Sequence, residues 1–238
     1  MSFSVHTFET HPEKSDGLAF AYHENLGEGQ DIFFRGRFPE GTNDATTVAE
    51  SIFGAIVDSL KILKKGDAYD RFEDALKSAN LEFKKNLAKI PAMPDIVVTY
   101  FDFNNLYLSQ SGKAEAYLIR NGAISQISET PDSENELFLN ILSGRIMVDD
   151  IILISSNRLL HSITTTQLID IFSRSDFRDS VATLRHELQM KSEEDLIVTA
   201  IGVGKKEELG AAGFLSRMVS KMSGPKTLNK VYSNPTPP

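Results

Sequence analysis

Apolar and polar residues follow a short-range pattern in the first forty positions, and this pattern predicts strands. We expect strands at Phe3–Phe8 and Leu18–Tyr22, and a third at Asp31–Arg35, where three apolar residues stand between two charged ones. Gly36 and the turn-forming sequence Pro39-Glu40-Gly41 are expected to end the third strand. The chain therefore begins with three predicted strands.

The spacing of apolar residues then changes to three and four, which predicts two long helices. The first covers Thr46–Lys65, with a threonine and Glu50 as a capping box at its start and Gly66 as its stop. The second covers Asp67–Ile90 and ends before Pro91. Both helices have one apolar face.

Four short strands are predicted after the helices, and two hairpin turns connect them. Asn104-Asn105 and Asn121-Gly122 are the turn sequences, and Asn-Gly is a strong signal for a two-residue hairpin. The predicted strands are Ile96–Phe101, Leu106–Ser109, Glu115–Arg120 and Ala123–Ser128.

Two continuous apolar runs, Asp150–Ser155 and Leu196–Val203, are typical of strands buried on both faces. Short helices are predicted between them, at Thr165–Phe172 and Phe177–Met190. Strands and helices thus come in separate blocks rather than in strict alternation. This order predicts an α+β protein with helices packed on sheets.

Composition and charge exclude several kinds of protein. The 238 residues are 41% hydrophobic and 24% charged, which is ordinary for a globular domain. The chain has no cysteine, which excludes disulfides and thiolate zinc sites. The net charge of −8 argues against a nucleic-acid partner. Because we find no signal peptide and no apolar run long enough to span a bilayer, we expect a cytoplasmic protein.

The last 34 residues differ from the rest, so we divide the chain into a domain at 1–204 and a tail at 205–238. The tail holds six Lys and Arg against two Glu. Its segment Ala211–Met222 has one apolar and one basic face, and Tyr232–Pro238 has the composition of a linker. We favour packing of the basic helix on its own domain over contact with a membrane.

Most motifs that carry chemistry are absent. The sequence has no phosphate-binding loop, no dinucleotide fingerprint and no nucleophile elbow, and no two histidines are spaced as metal ligands. Acidic residues precede two predicted strands, at Asp149-Asp150 and at Glu193-Glu194-Asp195. Such clusters are solvated strand ends or oxygen ligands for Mg²⁺ or Mn²⁺, and spacing alone leaves both interpretations open.

Several segments together resemble the metal-dependent protein phosphatases, the protein phosphatase 2C-like family. The run Leu106–Glu129 is similar to their central meander, and Asp150–Leu159 to their D-x-L-L-L-C-S-D-G-L segment. Glu194–Gly202 is similar to their closing strand, and Gly17–Asn25 to their G-x-V-R-x-x-N-E-D segment. The resemblance implies a β-sandwich of two mainly antiparallel sheets flanked by helix pairs, in α-β-β-α layers.

In that family, aspartates at the sheet ends hold two divalent cations that activate a water for attack on a phosphoester. The resemblance implies that most of these positions are changed here. Phe20 replaces an arginine that grips the phosphate, Glu24 is retained, and the last aspartate is Glu194, followed by Asp195. The former metal and phosphate cleft would comprise Phe20, Glu24, Arg37, Lys113, Asn157, Arg158, Glu194 and Asp195.

Three replacements remove carboxylates, because Arg37, Lys113 and Asn157 stand where the family has metal-binding aspartates. We therefore expect no metal and no other cofactor. We expect Arg37 and Glu194 to pair in place of the metals, with Glu24 as a third member. The alternative is that the alignment with the family is shifted by one or two residues near Arg37, so that another residue takes the position of the metal-binding aspartate.

The leading hypothesis from the sequence is a pseudophosphatase, a catalytically inactive phosphatase-like domain that binds or regulates a protein partner. Arg37, Lys113 and Arg158 could also bind a phosphorylated or other anionic ligand at the cleft. The alternative, which we favour, is that these three residues form salt bridges within the fold. One alternative is a residual hydrolase with a metal on Glu24, Glu194, Asp195 and Asp149. The other is a cytoplasmic module of a larger membrane-tethered protein.

Overall fold

Two sheets and two pairs of helices make up the part of the chain that the structure describes. The structure is a computed structural model and describes residues 1–11, 17–27, 29–62, 66–129, 136–193 and 195–204. The strands are β1 Ser2–Glu9, β2 Gly17–Gly27, β3 Gln30–Pro39, β4 Asp95–Asp102, β5 Asn105–Ser111, β6 Glu115–Arg120, β7 Ala123–Gln126, β8 Leu142–Arg145, β9 Ile151–Ser155 and β10 Ile197–Gly204. The helices are α1 Ala45–Ile62, α2 Ala68–Asn86, α3 Thr165–Arg174 and α4 Phe177–Lys191, with 3₁₀ turns at Leu87–Lys89 and Leu159–His161.

Each sheet has five strands. Sheet A has the order β1-β10-β9-β6-β7, and sheet B has the order β2-β3-β4-β5-β8. Every neighbouring pair is antiparallel. In sheet A the first strand pairs with the last, with Ser2 opposite Gly204. The α+β class and the two-sheet architecture expected from the sequence are confirmed.

Three apolar cores stack through the molecule. The first lies between sheet B and the pair α1 and α2, and includes Phe34, Ile52 and Phe72. The second lies between sheet A and the pair α3 and α4. The third lies between the two sheets and includes Phe33 and Ile152. Because both faces of the central strands are buried, these strands appear in the sequence as continuous apolar runs.

Strand β3 is longer than the sequence predicted, since it passes through Gly36 and ends at Pro39. A Cβ on Gly36 would lie 2.1 Å from the main-chain oxygen of Asp95 and 2.8 Å from the Cα of Ile96. Glycine therefore allows β4 to approach closely at this point and does not end the strand. The extension adds Arg37 to the sheet.

Other differences are local. The capping box predicted at the start of α1 is wrong, because the helix begins at Ala45 and its threonines lie inside the first turn. A capping box forms instead at the start of α3, between Thr164 and Gln167. The first hairpin turns at 103–104, one residue before the predicted position. Strand β8 was not predicted, because its four residues are largely exposed and carry no alternation.

Among the described residues, no helix is both long and apolar enough to cross a membrane. The tail, including the predicted basic helix at Ala211–Met222, lies outside the described residues.

Replacing Gly36 tests the close approach of β3 and β4. We expect Gly36→Ala to lower the free energy of unfolding by about 2 kcal/mol or more, because the new methyl group meets main-chain atoms that cannot move aside. Gly54 in α1 is the matched control, since a Cβ there has no heavy atom within 4 Å. Gly54→Ala should raise the free energy of unfolding by about 0.5–1 kcal/mol. Urea unfolding of both variants gives the comparison, and equal effects would contradict the proposed contact.

Candidate functional site

The ends of β3 and β10 bring two charged residues together between the sheets. Side chains alternate along a strand, so Arg37 lies on the same face of β3 as Phe33, which belongs to the core between the sheets. Asp195 comes two residues before β10, the strand between β1 and β9 in the opposite sheet. The Arg37 Nη2 donates to the carboxylate of Asp195, and its Nη1 donates to the Asp195 main-chain oxygen at 3.2 Å.

This ion pair is buried and has further hydrogen bonds. The side chain of Arg37 is 9% exposed and that of Asp195 is 1% exposed. The Asp195 Oδ1 accepts a hydrogen bond from the main-chain N–H of His11 at 2.9 Å. Both carboxylate oxygens therefore accept hydrogen bonds from protein donors. Buried charges need this degree of pairing to offset the loss of solvent.

A second carboxylate lies beside the pair. Glu9 ends β1 and interacts electrostatically with both Arg37 and Asp195. Burial raises the pKa of Glu9, the Asp195 carboxylate raises it further, and Arg37 opposes both effects. The carboxylates of Glu9 and Asp195 therefore both interact electrostatically with the guanidinium of Arg37 at this edge of the sandwich.

Three other predicted cleft residues follow strands that end at this same edge. Lys113 is exposed, and its main-chain N–H donates to Oδ1 of Asp95 at 2.7 Å. Asp95 is the register partner of Arg37 on β4. Asn157 follows β9 and accepts from the N–H of the exposed Arg158 at 2.8 Å. The structure therefore places Lys113, Asn157 and Arg158 at the edge that Arg37 occupies.

Phe20 and Glu24 do not lie with Arg37. Phe20 packs in the core beneath the helices, with its ring centroid 4.9 Å from that of Phe34. Glu24 lies opposite Ile32, another residue of that core, and its Oε1 accepts from Lys61 Nζ at 2.7 Å. Both side chains are thus on the helix-facing side of sheet B, so Glu24 does not become the expected third member of the pair.

Arg37 pairs with Asp195. The pairing of Arg37 with Glu194 that the sequence predicts stays a prediction, because Glu194 lies outside the described residues. Asp149 is at the other end of sheet A, because its N–H donates to the oxygen of Val203 at 2.8 Å. Eight residues of extended chain separate Val203 from Asp195, which is roughly 25 Å. The metal site suggested for a residual hydrolase, with Asp149 and Asp195 on one ion, is therefore contradicted by the fold.

Sequence reasoning missed Glu9 and Arg35. Arg35 lies two residues before Arg37, so both arginines are on one face of β3. A shift of two residues in the alignment would thus replace one arginine by the other. The signal was present, because a period of two through Phe33, Arg35 and Arg37 marks a shared face. The strand predicted from the sequence stops at Arg35, before Gly36, so the prediction does not place Arg37 on that face.

The comparisons with known proteins support the fold. No family model and no curated sequence matches the chain. Three solved structures of similar shape are PppA, a regulatory component of the T6SS in Pseudomonas aeruginosa, the serine/threonine phosphatase PstP of Mycobacterium tuberculosis, and the phosphatase domain of SpoIIE from Bacillus subtilis. Their TM-scores are 0.60, 0.56 and 0.58, and their identities are 14%, 13% and 14%. The matches cover 85%, 86% and 88% of this chain, and 98%, 100% and 97% of the other chains. The chain therefore has the fold of PPM-type Ser/Thr phosphatases.

Removing Asp195 tests the energetic weight of the ion pair. We expect Asp195→Ala to lower the free energy of unfolding by about 3–5 kcal/mol, because it removes a buried carboxylate that forms an ion pair with the buried Arg37. Glu24→Ala is the control and should cost about 1 kcal/mol or less, since the Glu24–Lys61 pair is largely exposed.

Urea unfolding measures both effects. The double variant Arg37→Met, Asp195→Leu should recover most of the loss, because it removes both charges together. A loss in Asp195→Ala no larger than in Glu24→Ala would contradict the account.

The raised pKa of Glu9 predicts how stability depends on pH. The folded protein holds the Glu9 proton more tightly than the unfolded chain does, so this contribution is full below the ordinary pKa of 4.5. It is lost as the pH rises through the folded pKa. We therefore expect Glu9→Gln to be more stable than the wild type at pH 7, with the difference shrinking below about pH 4.5.

Urea midpoints between pH 4 and pH 7.5 measure this difference. The exposed Glu40→Gln is the control and should follow the wild type across the range. A Glu9→Gln difference that stays constant with pH would contradict the assignment.

Proposed function

We propose, on the premise of the PPM-type phosphatase fold, that this chain is a catalytically inactive domain that binds or regulates another protein. The observation that carries the proposal is the buried pair of Arg37 and Asp195. It occupies the sheet edge at which the family resemblance implies a two-metal centre.

Electrostatics supports this proposal. A guanidinium about 4 Å from a divalent cation would repel it by roughly 8 kcal/mol at an effective dielectric near 20. Asp195 would have to give up its hydrogen bonds to Arg37 and His11 before it could bind a metal. If the alignment is shifted by two residues, Arg35 takes the position of the metal-binding aspartate instead of Arg37. A guanidinium then still stands at that position, so the repulsion remains.

The described residues near Arg37 do not fit a two-metal centre. Within the described ranges, no three His, Asp or Glu side chains are grouped so that they could hold a metal ion. Mg²⁺ and Mn²⁺ need several oxygen ligands, and Lys113 and Asn157 supply no carboxylate. The acids elsewhere have other contacts, since Glu24 pairs with Lys61 and Asp150 binds Arg120 through both carboxylate oxygens.

The partner in this proposal is a protein that contacts the edge of the sandwich near Arg37. Lys113 and Arg158 are both exposed there. Their charges would suit a phosphorylated or acidic segment of that partner, since exposed cations form charge-assisted hydrogen bonds with such groups. Fold alone does not carry the activity of the relatives to this chain.

Metal titration and turnover test the loss of catalysis. We expect p-nitrophenyl phosphate hydrolysis with millimolar Mn²⁺ to stay at the rate of a buffer blank, and the melting temperature to be the same with Mn²⁺ as with Ca²⁺. The physical reason is that the buried guanidinium repels the cation.

Two variants make the experiment decisive. Asp195→Asn removes the carboxylate at the site, while Asp179→Asn removes an exposed carboxylate on α4. Manganese-dependent turnover that Asp195→Asn abolishes and Asp179→Asn preserves would overturn the proposal.

A further inference from the structure

A cavity of about 300 Å³ opens at the end of sheet A where the described chain stops. Its lining comes from β1, β10, the turn before β9 and both helices on this sheet, and includes Ser4, Asp149, Phe172, Phe177 and Gly204. This end of the sheet is the one away from Arg37, because the N–H of Asp149 donates to the oxygen of Val203. The cavity is therefore separate from the charged edge at Arg37.

The inner wall of the cavity is aromatic. The ring of Phe177 lies directly over Gly202 of β10, since a Cβ on Gly202 would lie 3.1 Å from atoms of that ring. The ring of Phe172 is next to it, with the two ring centroids 6.5 Å apart. Both phenylalanines are only half-buried by the described residues. An apolar side chain that entered the cavity would therefore remove aromatic surface from water.

The rim of the cavity is acidic. Asp149 is exposed, and its carboxylate forms no ion pair within the part of the chain that the structure describes. The start of α4, next to Phe177, adds Asp176 and Asp179 against one cation, Arg178. A ligand that combines an apolar face with cationic side chains would match both the wall and the rim.

The chain itself supplies such a segment directly after the cavity. Residues 205–238 lie outside the described residues, and their sequence holds six Lys and Arg against two Glu. Within Ala211–Met222, helical spacing predicts one apolar face, formed by Phe214, Leu215, Met218, Val219 and Met222. Arg217 and Lys221 are four positions apart, so the same spacing puts both cations on one side of that face.

The connection between the cavity and this segment is short. Gly204 lines the cavity, so the chain leaves the described domain at the site itself. The seven residues from there to Ala211 reach at most roughly 25 Å when extended. A segment on such a tether has an effective concentration in the millimolar range, which a separate partner does not reach. The apolar face of the same chain is therefore the favoured occupant.

We propose that the cavity between β1, β10 and the helices α3 and α4 is the docking site for the apolar face of Ala211–Met222 of the same chain. In this arrangement the apolar face covers the rings of Phe172 and Phe177, and the two basic side chains face the carboxylates at the rim. The docking site does not depend on whether the protein hydrolyses phosphoesters.

Cysteine crosslinking tests the proposal in the full-length protein, because the wild type has no cysteine. Ser4→Cys is combined with Met218→Cys, which puts one thiol at the cavity and the other on the apolar face. The control combines Met218→Cys with Ser143→Cys, the same substitution of an exposed serine on β8, at the far edge of sheet B. With oxidised glutathione and dilute protein, we expect the first pair to form its intrachain disulfide about tenfold faster than the control, since docking raises the local thiol concentration. Peptide mapping by mass spectrometry identifies the disulfide.

A third substitution separates apolar docking from simple proximity. Phe214→Ser, added to the first pair, should reduce its rate to that of the control, because it removes apolar surface from the segment and leaves the described domain unchanged. Leu228→Ser, which lies outside the segment, should leave the rate unchanged. Equal rates in the two cysteine pairs, or a rate that Phe214→Ser does not alter, would overturn the proposal. Disulfides that form only between two copies of the chain would also overturn it, as would equal rates together with binding to anionic lipid vesicles that Phe214→Ser abolishes.

Discussion

The ion pair between Arg37 and Asp195 joins the two sheets at β3 and β10, each of which lies one strand in from the edge of its sheet. Arg37 belongs to β3, which is flanked by β2 and β4, and Asp195 leads into β10, which is flanked by β1 and β9. Apolar packing holds the sheets together elsewhere, and it has no directional preference. A buried ion pair does have one, because each charge needs its partner at hydrogen-bond distance. This ion pair therefore helps to fix the relative position of the two sheets at this edge.

Two arginines on one face of β3 give the interior of the sandwich an unusual charge. Arg37 is balanced by Asp195, with Glu9 close by, whereas Arg35 is not balanced by a carboxylate of the described chain. At the edge of the sandwich, one guanidinium thus interacts with two carboxylates, while Arg35 is held by main-chain oxygens and lies over the Phe33 ring.

The sequence predicted the elements whose signal is local. Strand β6 has the predicted bounds Glu115–Arg120, and the Asn121-Gly122 turn follows it with both residues at positive φ. The strand pairing at Gly36 depends on a close approach to Asp95, a residue 59 positions away, and no local pattern reports such a contact. The same limit applies to the pairing of Arg37 with Asp195, because the sequence does not show which of several neighbouring acids reaches a residue 158 positions away.

Sheet A is completed by its two most distant strands. Ser2 lies opposite Gly204, so pairing β1 with β10 closes a loop of about two hundred residues, which is entropically costly and slow. During synthesis, sheet B and its helices can assemble while the ribosome is still producing β10. Glu9 and Asp195 meet only when β10 has emerged. The charged edge at Arg37 therefore cannot be completed before nearly the whole domain has been synthesised.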